Sequence, residues 1–135
     1  MPRIAIIGSR NWNNKNKTKD IIWQLKQRFG DDLTIISGGC LQGADKLARK
    51  YAIEMGIHYI EYNPAHTVRN LYSAMPENYY GKVYHPTQFH HRNNLIAEAA
   101  DYCIALIPKD AEKNNGTVYT IKRFKKLDKK VVIIE

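Results

Sequence analysis

Leu33-Thr34-Ile35-Ile36-Ser37-Gly38-Gly39-Cys40-Leu41-Gln42-Gly43-Ala44-Asp45-Lys46-Leu47-Ala48 is the stretch that decides the fold. A short, mostly apolar run meets three glycines within six positions, and a helical repeat follows at once. Leu47, Ala48, Tyr51, Ala52 and Met55 share one helical face, which stops at Gly56. A strand that is apolar on both sides, closed by glycines and followed by a helix, is the building unit of a buried parallel sheet.

The same alternation extends both ways along the chain. Before it, Ile4 to Ile7 is a β-branched run ended by Gly8-Ser9-Arg10, and Ile21, Ile22, Leu25 and Phe29 form a helical face ending at Gly30. After it come Ile57 to Tyr62, stopped by Asn63-Pro64; Tyr102 to Ile107, stopped by Pro108; and Val131 to Ile134. Leu95, Ile96, Ala99 and Ala100 mark a third helical face, and Val118, Ile121, Phe124 and Leu127 a fourth. Right-handed crossovers then place helices on both faces of the sheet. The expectation is an α/β, Rossmann-like three-layer sandwich of five parallel strands in the order 3-2-1-4-5, built as a single domain over residues 1–135. Residues 64–88, rich in Tyr, His and Asn and carrying Pro76 and Pro86, break the rhythm as an irregular insertion or flap.

Composition narrows the class. A chain of 135 residues, 44% hydrophobic, buries enough surface to fold without disulfides or metal. Twenty-one Lys and Arg against 13 Asp and Glu give a net charge of +8, which favours anionic partners such as nucleotides, nucleic acid or phosphorylated metabolites. Recurring apolar runs exclude the disordered and acidic-tail classes. Cys40 and Cys103 are too few for a disulfide framework and lack zinc-site spacing. Neither a secretory signal nor an apolar run long enough to span a membrane is readable, so a cytoplasmic, membrane-free setting is expected.

In an open α/β sheet the ligand site lies beyond the carboxyl ends of the strands, where the strand order reverses. Four segments converge there. Gly8-Ser9-Arg10 offers a close turn, a hydroxyl and a planar guanidinium. Ser37, Gly38, Gly39 and Gly43 give a loop whose free N–H groups, at a helix start, suit an anion. The same loop also reads as a tight turn whose Asp45 complements the helix dipole. Asn114-Asn115-Gly116-Thr117 opens the last helix as a second phosphate site or a simple cap. His91-Arg92-Asn93-Asn94 precedes the third helix, where Arg92 and Asn93 suit phosphate and a sugar or base edge.

Gly-Ser-Arg, Ser-Gly-Gly-x-x-x-Gly-Ala-Asp, Gly81-Lys82, Arg92-Asn93, Asp101 and Gly116-Thr117, in this order across essentially the whole chain, resemble the SLOG superfamily, in its YspA-like (YpsA-related) branch. More distant relatives are the LOG phosphoribohydrolases and the Rossmann domain of DprA/Smf. The resemblance implies binding of a nucleotide or nucleotide-derived phosphorylated small molecule, without cofactor. An alternative is N-glycosidase (phosphoribohydrolase) action on nucleoside monophosphates, with Arg92 and Asp45 as catalytic residues. A further alternative is DprA-like binding of single-stranded DNA. Thr120 stands where LOG enzymes carry a Glu, and Asn11-Trp12-Asn13-Asn14-Lys15 stands where YspA-like chains carry an acid. Related folds often pair through their helices, so a homo-oligomer is also an expectation.

Other residues read more plainly. Glu98 belongs to a solvated helix face, and Cys40 has no base placed beside it by sequence. His90-His91 point to different sides of a helix, so no metal site is expected. Aromatic residues of the 64–88 segment either stack on a base or pack that segment down. Lys122, Arg123, Lys125, Lys126, Lys129 and Lys130 form a solvated face or a nucleic-acid contact.

Overall fold

Five strands, β1 (Arg3–Gly8), β2 (Thr34–Ser37), β3 (His58–Glu61), β4 (Tyr102–Leu106) and β5 (Val131–Ile134), form one parallel sheet ordered β3-β2-β1-β4-β5. The computed structural model describes residues 2–110 and 116–135. Its helices are α1 (Lys15–Phe29), α2 (Gly43–Glu54), α3 (Thr87–Ala99) and α4 (Gly116–Lys126). The anticipated Rossmann-like sandwich is what the chain adopts.

Strand alternation sorts the core into two layers. In β1, Ile4 and Ile6 face Ile22 and Leu25 of α1 and Leu47, Ala48 and Tyr51 of α2. Ala5 and Ile7 face the other way, against Ile96 and Ala97 of α3 and Ile121 and Phe124 of α4. Ala5 lies between Ile36 on one neighbour and Cys103 on the other, so the small central side chain leaves room for helices α3 and α4 to approach.

The link from β1 to α1 is fastened by polar groups. Trp12 is buried, and its Nε1 donates to Thr18 Oγ1 at 2.7 Å. Thr18 Oγ1 in turn donates to Asn14 O at 2.7 Å, and Asn14 Oδ1 caps α1 by accepting from the Lys17 N–H. This fixes where the Gly8–Arg10 turn sits above the sheet.

The irregular segment is better anchored than its composition suggests. The Glu61 N–H donates to Tyr72 O and the Ala74 N–H to Glu61 O, both at 2.8 Å, so residues 72–74 cover the open edge of β3. Helix α3 begins earlier than its apolar pattern indicates. Pro86 already has helical angles (φ −58°, ψ −30°), and His85 Nδ1 accepts the Thr87 N–H at 3.2 Å. Arg92 and Asn93 therefore lie in the second turn of α3, not at its start. The proline was the signal for that start.

Candidate functional site

The order reverses at β1, with β2 on one side and β4 on the other. The carboxyl ends of these strands open into a cleft of about 1360 Å³. Gly8, Ser9, Arg10, Gly38, Gly39, Asp45, Arg92, Asn93, Gly116 and Thr117 all line it. Asn114 and Asn115 lie outside the described residues.

Two expected residues lie elsewhere. Ser37 is fully buried beneath the loop, with Oγ 2.5 Å from Tyr59 Oη, and it accepts the Gly39 N–H at 3.3 Å. Gly43 is tucked against the backbone of Ser9 and Arg10, and the neighbouring Ala44 N–H donates to Ser9 O at 3.1 Å. Ser37 thus ties the loop to β3, and Gly43 ties the start of α2 to the loop after β1; neither lines the cleft.

The free amides expected of the loop are fewer than its glycine count suggests. The Gly39 and Ala44 N–H groups are spent as above, and the Cys40 N–H donates to Asp45 Oδ2 at 3.1 Å. Among the described residues, only the Leu41, Gln42 and Gly43 N–H groups of this stretch remain without an acceptor. Side chains must therefore supply much of any anion binding.

Arg92 is the residue best placed to do so. Its Nη1 donates to Gly38 O at 2.7 Å and its Nε to Asn93 Oδ1 at 2.8 Å. These bonds staple α3 to the loop after β2 and hold the guanidinium plane still. Arg92 lines the cleft, and Nη2 donates to no other described residue. Burial lowers the Arg92 pKa, and the nearby Asp45 charge works against that shift. Asn93 is buried, and Gly116 at the start of α4 packs beside its Nδ2. The side chain thereby joins the third and fourth helices at the cleft floor.

Asp45 is part-buried at the cleft wall, and its pKa is pushed up to about 6, mainly by burial. Arg92 and the Cys40 N–H oppose that rise, and the Glu61 carboxylate adds to it. Gly38 is the residue these two side chains converge on. A Cβ there would lie 2.5 Å from Arg92 Nη1 and 2.9 Å from Asp45 Oδ2, so any larger residue would have to push these two side chains out of place.

Glu61 and Asn63 escaped the sequence reading. Glu61 is fully buried, with Oε1 3.3 Å from Arg49 Nη1 and Oε2 accepting from Asn63 Nδ2 at 3.2 Å. Asn63 Oδ1 accepts from Ser73 Oγ at 2.8 Å, which links the irregular segment to the same cluster. Gly39 rests directly on this pair at φ +74°, where a side chain would collide with Asn63 Nδ2. A lone carboxylate inside an otherwise apolar strand run was the available signal, since a buried charge needs a reason.

The remaining candidates sort as follows. Glu98 pairs with Arg123 at 3.7 Å on the outer surface. Cys40 lines the cleft, whereas Cys103 is buried in β4 and its thiol pKa is raised by that burial. Part of the basic run is in structural use: Lys129 Nζ donates to Ala97 O and Glu98 O, closing the end of α3. Among the described residues no three His, Cys, Asp or Glu side chains gather as a metal site, and no helix is long and apolar enough to cross a membrane.

Residues 2–67 match the profile of the YspA, cpYpsA-related SLOG family. That match covers 66 of the 135 residues, from β1 to the residues just after β3. No curated protein matches the chain. Among solved structures it is similar to DNA processing protein A (DprA) from Helicobacter pylori, at 23% identity and TM-score 0.72, covering 99% of this chain and 65% of that one. It is also similar to DprA from Streptococcus pneumoniae, at 19% identity and TM-score 0.72, covering 100% and 50%. The molybdenum cofactor binding protein from Rippkaea orientalis matches at 19% identity and TM-score 0.70, covering 98% and 75%. The chain thus spans about half to two thirds of the DprA chains it resembles. At these identities the likeness is one of fold.

Proposed function

We propose that the cleft binds a nucleotide or nucleotide-derived phosphorylated small molecule. The observation that carries this reading is the Arg92 guanidinium, fixed by Gly38 O and Asn93 in the lining of the cleft. Arg10, exposed on the facing loop, adds a second cation, and the Leu41 and Gln42 amides add donors. The H. pylori DprA structure describes a single-stranded DNA binding mode and the R. orientalis protein binds a molybdenum cofactor, so this fold accommodates anionic ligands of different sizes. A small molecule is favoured here because the fixed cation lies inside a cleft, while Lys129 and Arg123 of the basic run are engaged with α3. Titration calorimetry against nucleoside monophosphates, NAD, ADP-ribose and cyclic dinucleotides tests the reading. At least one should bind, and Arg92→Ala should weaken it tenfold or more. Silence across that panel overturns it.

A narrower reading adds hydrolysis of the N-glycosidic bond, and one observation favours it. Asp45, with a pKa near 6, can exchange a proton near neutrality at the wall of the same cleft. The Thr120 hydroxyl, at the position of the LOG Glu, is occupied by Gly116 O at 2.8 Å. Release of free base from a nucleoside monophosphate, lost in Asp45→Asn, is the expected result. No release at high protein concentration removes this reading while leaving binding intact.

A further inference from the structure

We infer that Phe89 and His66 form the seat for a heteroaromatic ring, so that the cleft selects a nucleotide over the corresponding sugar phosphate. The inference rests on the phosphate reading above and adds the part of the ligand that reading leaves open.

The cleft has two chemically unlike ends. One is built of glycines and guanidinium groups. The other is lined by Phe89, His66, Pro64 and Pro86, which offer apolar surface and ring edges. At about 1360 Å³ the space exceeds the roughly 300–1,000 Å³ of ordinary ligand pockets, so a phosphate alone would leave most of it empty. A ligand matching both ends carries an anion and an apolar plane.

These rings have no role in the core. Neither Phe89 nor His66 belongs to either hydrophobic cluster or packs against one. They are nonetheless fixed. His66 and Phe89 meet edge to face at 5.2 Å between centroids, and Tyr84 joins them at 4.9 Å from His66. Gln88 Oε1 lies 2.8 Å from His66 Nδ1 and accepts the His85 N–H, while Gln88 Nε2 donates to Val83 O. One glutamine thus holds the ring and the loop behind it, and a wall held rigid before binding loses little entropy on contact.

Phe89 and Arg92 are three residues apart on α3, on the same face, with the guanidinium carbon 5.8 Å from the ring centroid. A single ligand can therefore touch the cation and the ring together. Base stacking on an aromatic side chain strengthens binding by about five- to a hundredfold, whichever base is involved.

The test is calorimetry of the full chain with AMP, UMP and ribose 5-phosphate, on wild type and Phe89→Leu, a change outside the core. AMP should bind wild type at least about tenfold more tightly than ribose 5-phosphate, with UMP between them. Phe89→Leu should remove most of that preference and leave ribose 5-phosphate unchanged. Equal affinities of AMP and ribose 5-phosphate for wild type overturn the ring seat and leave the phosphate reading standing. An equal loss for all three ligands in Phe89→Leu also overturns it, because the ring would then only support the cleft. If none of the three binds, the phosphate reading falls and this inference falls with it.

Discussion

Replacing Asp45 with Asn should make the empty protein more stable, by a margin that grows from about pH 4 and levels off above about pH 6. Burial raises the Asp45 pKa from an ordinary 3.8 to about 6, so the folded chain holds a proton there that the unfolded chain has released. For a raised carboxyl pKa, stability is full below pH 3.8, declines as the pH climbs through 6, and is level above that. A gap of about two pH units, at about 1.4 kcal/mol each, gives ~3 kcal/mol. Asp45 keeps some access to solvent at the cleft, which trims the figure to roughly 2 kcal/mol. Asn never ionises, and its oxygen can still accept the Cys40 N–H, so the variant escapes this loss. Urea unfolding of both proteins from pH 4 to 8 reads the effect, because the other titrating groups cancel in the difference. The variant should gain roughly 2 kcal/mol over wild type between pH 4 and pH 7.5. A difference that stays flat across that range would show that Asp45 titrates normally, and the account of its burial would be wrong.

Two further results follow from the same loop. Gly39→Ala forces a side chain into left-handed backbone and against the Asn63–Glu61 pair, which should cost ~2–4 kcal/mol and lower Tm by about 10 °C in a scan. A fall of less than about 2 °C would mean that the buried pair yields freely. Arg92→Lys keeps the charge but cannot hold Gly38 O and Asn93 while facing the cleft, so nucleotide affinity measured by calorimetry should drop nearly as far as in Arg92→Ala. Wild-type affinity in the Lys variant would reduce Arg92 to a point charge.

The sheet was readable because burial on both faces writes its central strands β1, β2 and β4 as short apolar runs. Ile4–Ile7 and Leu33–Ile36 carry no competing pattern, and their glycine endings mark the turns. Helix α3 was harder. Its repeating apolar face begins at Leu95, since the first two turns, Phe89 among them, face the cleft and the irregular segment instead of the core. Periodicity reports contact with a core, so a helix whose opening turns serve a site goes unseen by it. Pro86 marked the start by backbone geometry alone.

The sequence brought most of the candidate residues to one cleft but misjudged the electrostatics there. Glycines at 38 and 39 suggested bare amides awaiting an anion, yet the chain fills much of that space itself. Gly38 is glycine because Arg92 and Asp45 cross there, and Gly39 because Glu61 and Asn63 lie beneath it. Two carboxylates under a loop proposed to bind an anion oppose that role unless cations answer them. Arg49 answers Glu61 at 3.3 Å, and Arg92 answers Asp45 in part. That balance gives Asp45 a second consequence. When a ligand phosphate draws on the Arg92 charge, the attraction that holds Asp45 ionised weakens and its pKa must rise further. Binding should then take up a proton near neutral pH, visible as a heat that changes with the ionisation enthalpy of the buffer. In Asp45→Asn the buffer dependence should vanish while binding persists. If it persists unchanged in the variant, the proton goes elsewhere and Asp45 and Arg92 are not coupled through the ligand.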